Sequence, residues 1–315
     1  MAQEVKKRPK KAAATAGRTR KLSKKQQRTK AKKTVRTRKP LPGSFKLTRR
    51  VFSIFKNHWK VLGGIVLVYL ILNIVFASAI NNINSNFDSI KTDLQASGGS
   101  GLWHAAGGFL ALVASSGVSG STTGSALQSM LFVIESLVII WTLRHLLSGQ
   151  KITVKNAYYK STTPLIPFLL VIGVIIIQLL PVTVGALLLA AISTSVFTST
   201  AVATVFSSII FAMLAAWSLY MVTASIFGLY IVTLPDMQPR EALRSARDLV
   251  RFRRLLVFRK VIFMPIFILL VMGLVVVPLI IFAKPVVPLA FYILSMLSIL
   301  FAHTYLYSLY RGLLE

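Results

Sequence analysis

From residue 61 onward the apolar residues of this chain gather in unbroken runs of about twenty, separated by short polar stretches. Such runs have no amphipathic period, so the solvent they are written for is lipid. A helix rising about 1.5 Å per residue needs about twenty residues to cross a hydrocarbon core of about 30 Å. The runs predict six spanning helices: Val61–Ile80, Ala126–Leu147, Pro164–Ala191, Ile209–Thr233, Val257–Phe282 and Val286–Tyr310. The pattern ahead of them is different. Residues 1–43 are Lys, Arg, Ala, Thr and Gln without apolar periodicity, which predicts a disordered tail. In Ser44–Trp59 the residues Leu47, Val51, Ile54, Phe55 and Trp59 recur at helical spacing, while Lys46, Arg49, Arg50 and Lys56 lie off that stripe. This predicts a basic amphipathic helix in the headgroup plane, with Trp59 and Lys60 at the interface where the first span begins. The fold class expected is an all-α integral membrane protein. It divides into a polybasic tail, 1–43, and a polytopic membrane domain, 44–315.

Charge orients these helices. The chain carries 37 Lys and Arg against 8 acids, and 22 of those cations fall in the first sixty residues beside a single acid, Glu4. With six spans and the N-terminus inside, 35 cations lie on the cytoplasmic side, and only Lys91 and Lys284 lie outside. Reading "GLWHAAGGFLALVASSGV" (Gly101–Val118) as a further span would carry the cations of two later loops across, against the positive-inside bias. That segment is therefore expected to be a re-entrant or interfacial part of an external loop, Asn81–Ser125. Both termini are expected in the cytoplasm. The first apolar run follows nearly sixty polar and basic residues, so it is read as a retained anchor rather than a cleaved leader.

The plan also reads as a possible threefold repeat of a cytoplasmic interfacial segment, one helix out and one helix back. "KSTTPLIPFLLVIG" from Lys160 and "KVIFMPIFILLVMG" from Lys260 align without gaps, although apolar alphabets also produce such matches by chance.

Composition narrows the chemistry. There is no cysteine, which removes disulfides, thiolate metal sites and cysteine nucleophiles. The four histidines are scattered with no HExxH spacing, and no GxSxG or phosphate-binding glycine loop occurs in its required context. No metal, no cofactor and no enzymatic activity are expected.

The candidate intramembrane polar site centres on Glu135, the one acid inside a predicted span. A carboxylate there should face the bundle, take up a proton or find a partner. Gln128, Glu135 and Thr142 are seven residues apart and share one helix face, and Gln178 on the next span is a candidate partner. One reading is a proton or cation relay; the other is a structural hydrogen bond between helices. Pro181, Pro265 and Pro278 should kink or break their helices, which suits either a transport site or simple packing. Ala212/Ala216 and Ala224/Gly228 are spaced for close helix approach.

The segment "PDMQPREALRSARDLVRFRRLLVFRK" reads as a helix with a narrow apolar stripe, Leu243, Ala246 and Val250, and an arginine-rich face. Its Arg244, Arg247, Arg251, Arg253 and Arg254, with Lys46, Arg49, Arg50 and Lys56 of the first amphipathic helix, are candidate contacts for anionic lipid headgroups. The tail could reach nucleic acid or the ribosome, but without aromatic residues for stacking such contact would be unspecific. Tyr305, Tyr307 and Tyr310 beside Arg311 read as an aromatic belt at the inner leaflet.

"ALRSARDLVRFRR" ahead of a span, with its fainter echo "ITVKNAYYK", resembles the cytoplasmic helix of a group of bacterial six-helix membrane proteins. These are similar to the membrane module found ahead of some glycerophosphodiester phosphodiesterases. The resemblance implies a bacterial inner-membrane protein. It transfers no catalytic residue, because the phosphodiesterase needs a separate metal-binding barrel that no segment here supplies. The function expected is organising, scaffolding or accessory, with a basic face that binds anionic lipid or a polyanion. The alternative is a small transporter or permease using the interior around Glu135.

Overall fold

A computed structural model describes residues 41–77, Thr92, 122–196 and 200–315 of the chain. The expectations for residues 1–40, for Lys91 and for Gly101–Val118 fall outside the described residues. Those that are described are mostly helical, with no strand among them, and six helices are long and apolar enough to cross a membrane. The helices are α1 (Ser44–Ala77), α2 (Thr122–Leu146), α3 (Val154–Ser161), α4 (Leu165–Val196), α5 (Thr200–Ser225), α6 (Gly228–Ile231), α7 (Pro239–Val250), α8 (Arg254–Phe282) and α9 (Val287–Leu314).

Each boundary has a local cause. The expected amphipathic segment and first span are one helix, α1, with a single non-helical residue at His58. Neither proline nor glycine separates the two parts, so the chain bends rather than breaks. The bend falls where the packing partners change. Before it, Phe45 meets Phe263 of α8 and Phe52 meets Phe301 of α9. After it, Gly64 and Ile65 lie against α3. Helix α2 stops at Gly149, whose positive φ of 83° suits the left-handed turn that closes a helix. Thr153 caps α3 by accepting from the backbone of Asn156. Pro239 opens α7 at a first-turn position where its missing N–H costs nothing. Helices α4 and α8 run unbroken through Pro181, Pro265 and Pro278. The fourth span, by contrast, breaks after Ser225 and resumes as the single turn α6.

Helices α1, α2 and α9 pack against one another and form the centre of the molecule. Short α3 rests on α2 and α1. Helices α4 and α5 make a hairpin that reaches the rest mainly through α7 and α8. At the end of the bundle carrying Arg144 and Arg311, here called the basic end, the first residues of α1, the last of α2 and α9, and the short helices α6 and α7 share a core. Leu47, Val51, Leu143, Tyr230, Ala242, Ala246, Val250 and Leu309 are each fully enclosed there.

Three expectations are corrected. Tyr305, Tyr307 and Tyr310 are buried in this core and do not form an exposed belt. Tyr230 draws Tyr307 and Tyr310 inward, with ring centroids at 5.9 and 6.0 Å. The fully buried stripe of α7 is Ala242, Ala246 and Val250; Leu243 is only half-buried, at the edge where it touches Gly228. Ala212 and Ala216 face outward, so that pair brings no helices together, whereas Ala224 and Gly228 are buried as a close-approach spacing requires.

Candidate functional site

Glu135 sits on the face of α2 that turns into the central trio, and its side chain is 1% exposed. Its hydrogen-bond partner is neither Gln178 nor a Ser/Thr. The Tyr158 hydroxyl, from α3, donates to Glu135 Oε2 at 2.8 Å and lies 3.2 Å from the Ile65 carbonyl of α1. One phenol thus ties three helices. Helix α3 can present it because Val154, Ala157, Tyr158 and Ser161 recur on one face, with Ala157 and Ser161 buried and Lys155, Tyr159 and Lys160 exposed. The approach is close: a Cβ added at Gly64 of α1 would come within 2.8 Å of Val154 Cγ2. Burial first, then the negative charge of Glu135, push the Tyr158 hydroxyl above its ordinary pKa. Tyr158 therefore stays a donor across the physiological range.

The surrounding patch is polar but sparsely bonded. Tyr69 and Asn73 of α1 and Tyr292 of α9 are buried, with Tyr69 in electrostatic range of both Glu135 and Tyr292. Glu135 Oε1, Asn73 Oδ1 and the Tyr292 hydroxyl find no hydrogen-bond partner. On the neighbouring face of α2, Ser136 donates to Phe132 O at 2.8 Å and lies 3.0 Å from His303 Nε2 of α9. The other ring nitrogen of His303 is 3.3 Å from the Tyr230 hydroxyl. At the basic end Arg144 spreads its guanidinium over the end of the fourth span, donating to Tyr230 O, Thr233 O and Thr233 Oγ1 at 2.6–2.8 Å.

The four candidate polar residues do not make one site. Gln128, Glu135 and Thr142 are all buried, as a shared face requires. Seven residues of helix is about 10.5 Å, however, too far for adjacent members to pass a proton directly or to ligate one ion. Gln128 Oε1 and Thr142 Oγ1 have no hydrogen-bond partner, and Gln178 sits half-buried on α4 with its own Oε1 unpaired. Among the described residues no three His, Asp or Glu side chains gather as metal ligands would. What the fold assembles is a helix-to-helix tie, Glu135–Tyr158–Ile65. Tyr158 lies in the echo segment, and the sequence reading did not single it out. No sequence spacing links it to Glu135.

The candidate headgroup contacts divide by exposure. Lys46, Arg49, Arg50 and Lys56 on α1, and Arg244, Arg247 and Arg251 on or just after α7, are exposed. Arg253 and Arg254 are half-buried. Arg254 lies over the Tyr220 ring at 5.6 Å, so it joins α8 to α5.

Compared with known proteins, the chain matches no family model, no curated protein and no solved structure.

Proposed function

We propose that this is a non-enzymatic multi-pass membrane protein with an organising, scaffolding or accessory role. Its basic end faces the cytoplasm of a bacterial cell and holds anionic lipid or another polyanion by charge. One observation carries the reading. Seven exposed cations, Lys46, Arg49, Arg50, Lys56, Arg244, Arg247 and Arg251, stand at one end of a bundle whose flanks are apolar. The positive-inside bias turns that end, and with it both termini, to the cytoplasm. Residues 1–43 carry 17 further cations.

The test uses the full chain in neutral nanodiscs. Anionic vesicles should capture them, capture should weaken steeply between low and moderate salt, and neutral vesicles should capture none. Removing residues 1–43 should reduce capture, and changing Arg244, Arg247 and Arg251 to Gln should reduce it further. Capture by neutral vesicles, or capture that survives high salt, defeats the reading. Orientation is tested through Lys155→Cys in this cysteine-free chain: labelling from the outer face of intact cells would overturn it.

The second reading, a small transporter, draws on the buried Glu135 with its unpartnered Oε1. A substrate-dependent liposome flux abolished by Glu135→Gln would establish it.

A further inference from the structure

Between the first part of α1 and helices α8 and α9 lies a half-open groove of about 200 Å³. Phe52 and Phe55 of α1, Phe267 of α8, and Leu297 and Phe301 of α9 form most of its wall. Phe301 is the hub, with ring centroids 6.1 Å from Phe52 and 5.4 Å from Phe267. Ser298 is the only polar residue in the lining, and its hydroxyl is already donated to Leu294 O at 2.8 Å. The wall therefore offers a ligand no free hydrogen-bond donor, and its complement is a hydrocarbon chain. Phe301 precedes Arg311 by ten residues, about 15 Å of helix, and the lining continues about 10 Å deeper, to Leu294.

The rim supplies the charge. Arg49 lies one turn before Phe52 and Lys56 one turn after it, and both are exposed. At about 100° per residue the two fall on the same flank of α1, within about 60° of Phe52 and away from the buried stripe of Leu47, Val51 and Ile54. A phosphate placed between these cations would have its chain beside Phe52, at the mouth of the groove. The chain's own N-terminal segment is a poor filler. Leu41 and Pro42 lie beside Gly312, and Pro42 O accepts from Lys260 Nζ, so neither residue enters the lining. Residues 1–40 offer only Met1, Val5, Leu22 and Val35 as larger apolar side chains.

We propose that this groove binds one acyl chain of an anionic phospholipid from the surrounding leaflet, with the lipid phosphate between Arg49 and Lys56. The inference rests on the anionic-lipid reading for its charge, and adds to it a defined site with its own stoichiometry.

The full chain, reconstituted with equal phosphatidylglycerol and phosphatidylcholine and then exchanged into detergent, is weighed by native mass spectrometry. One phosphatidylglycerol should stay bound in preference to phosphatidylcholine. Ser298→Trp fills the groove and should release that lipid. Leu294→Trp, deeper in the same groove, is the second filling variant should the first not fold, with helicity checked for both. Arg49→Gln with Lys56→Gln leaves the groove open and should lower the preference for phosphatidylglycerol by about fivefold per cation removed. The proposal is overturned by equal retention of both lipids, by retention that a folded filling variant leaves unchanged, or by a lipid-free dimer that Ser298→Trp dissociates. Capture of nanodiscs by anionic vesicles reads the exposed face separately. Intact capture without a retained lipid sinks the groove alone; a retained lipid without salt-sensitive capture sinks the broader reading alone.

Discussion

The central trio and the α4–α5 hairpin are both built from spanning helices, yet they use their surfaces in opposite ways. Half of the spanning window of α2 and 39% of that of α9 are buried against protein, compared with 11% for each hairpin helix. Apolar character runs the other way at the extremes: α2 and α9 are the two least apolar spans and α4 one of the two most apolar, while α5 stands level with α1. In water this would be paradoxical. In a bilayer, lipid tails are as apolar as leucine, so an aliphatic face gains nothing by turning inward. The groups with something to gain are polar ones, for which exposure to lipid is costly. Asn73, Gln128, Glu135, Ser136, Thr142, Ser295, Thr304 and Ser308 are accordingly all buried on the trio. The hairpin instead shows Ile166, Leu170, Ile177, Leu187 and Met213 to its surroundings.

The sharpest way to break this contrast is to remove Arg144. Arg144→Ala leaves Tyr230 O and Thr233 O without their charged donor at the end of the fourth span. It should destabilise the chain by about 2–3 kcal/mol. Leu187→Ala on the hairpin, 73% exposed, should change stability by less than about 0.5 kcal/mol. Reversible unfolding in mixed micelles measures both; equal losses would erase the distinction.

Glycines sharpen it at the next level. Gly64→Ala in the trio drives a Cβ to 2.8 Å from the β-branched and rotationally stiff Val154, and should cost about 1–3 kcal/mol by lifting α3. Gly185→Ala in the hairpin meets Leu214 Cδ1 at 2.3 Å, but that atom ends a flexible side chain that can swing aside, so the cost should be smaller. A hairpin variant that unfolds more readily than the trio variant would contradict the assignment.

A smaller effect tests the tie itself. In a double-mutant cycle of Tyr158→Phe and Glu135→Gln, the coupling should be about 1 kcal/mol, since the hydroxyl retains Ile65 O as a second acceptor. Glu135→Leu should be nearly neutral for stability, because it removes a buried carboxyl together with its unpaired oxygen. Zero coupling would mean that the two residues are neighbours without a bond.

The smallest expected effect is on pH dependence. The folded state holds the Tyr158 proton more tightly than the unfolded state, whose phenol titrates near 10. The unfolded state therefore binds fewer protons above that pH, so stability is unaffected by this group at neutral pH and declines as pH rises past about 10. Tyr158→Phe should flatten that part of the profile relative to the parent chain. An unchanged alkaline slope would show that Tyr158 does not report on folding.

Particular residues show how far the fold and the site were legible. The apolar runs located all six spans to within a turn or two at most ends, since a span needs only length and the absence of charge. The fourth span departed further: it begins at Thr200 rather than Ile209 and is interrupted at 226–227. The shared face of Gln128, Glu135 and Thr142 was read correctly as buried. The partner of Glu135 was not readable. Tyr158 is 23 residues away on a separate helix, and no local spacing connects them. The tyrosines of α9 misled for a related reason: a belt at the interface and a core beside Tyr230 share the same local pattern.

Sequence alone determined that this chain is a multi-pass helical membrane protein with its cations concentrated at one end, because the thickness of the bilayer and the cost of charge within it act on each segment separately. Tertiary structure decided which faces are inside, which glycine lets α3 approach, and where the phenylalanines of α1, α8 and α9 enclose a groove. Those choices could not be local. An apolar side chain is equally at home against lipid or protein, so only packing geometry and the few polar groups that must find shelter distinguish one arrangement of six helices from another.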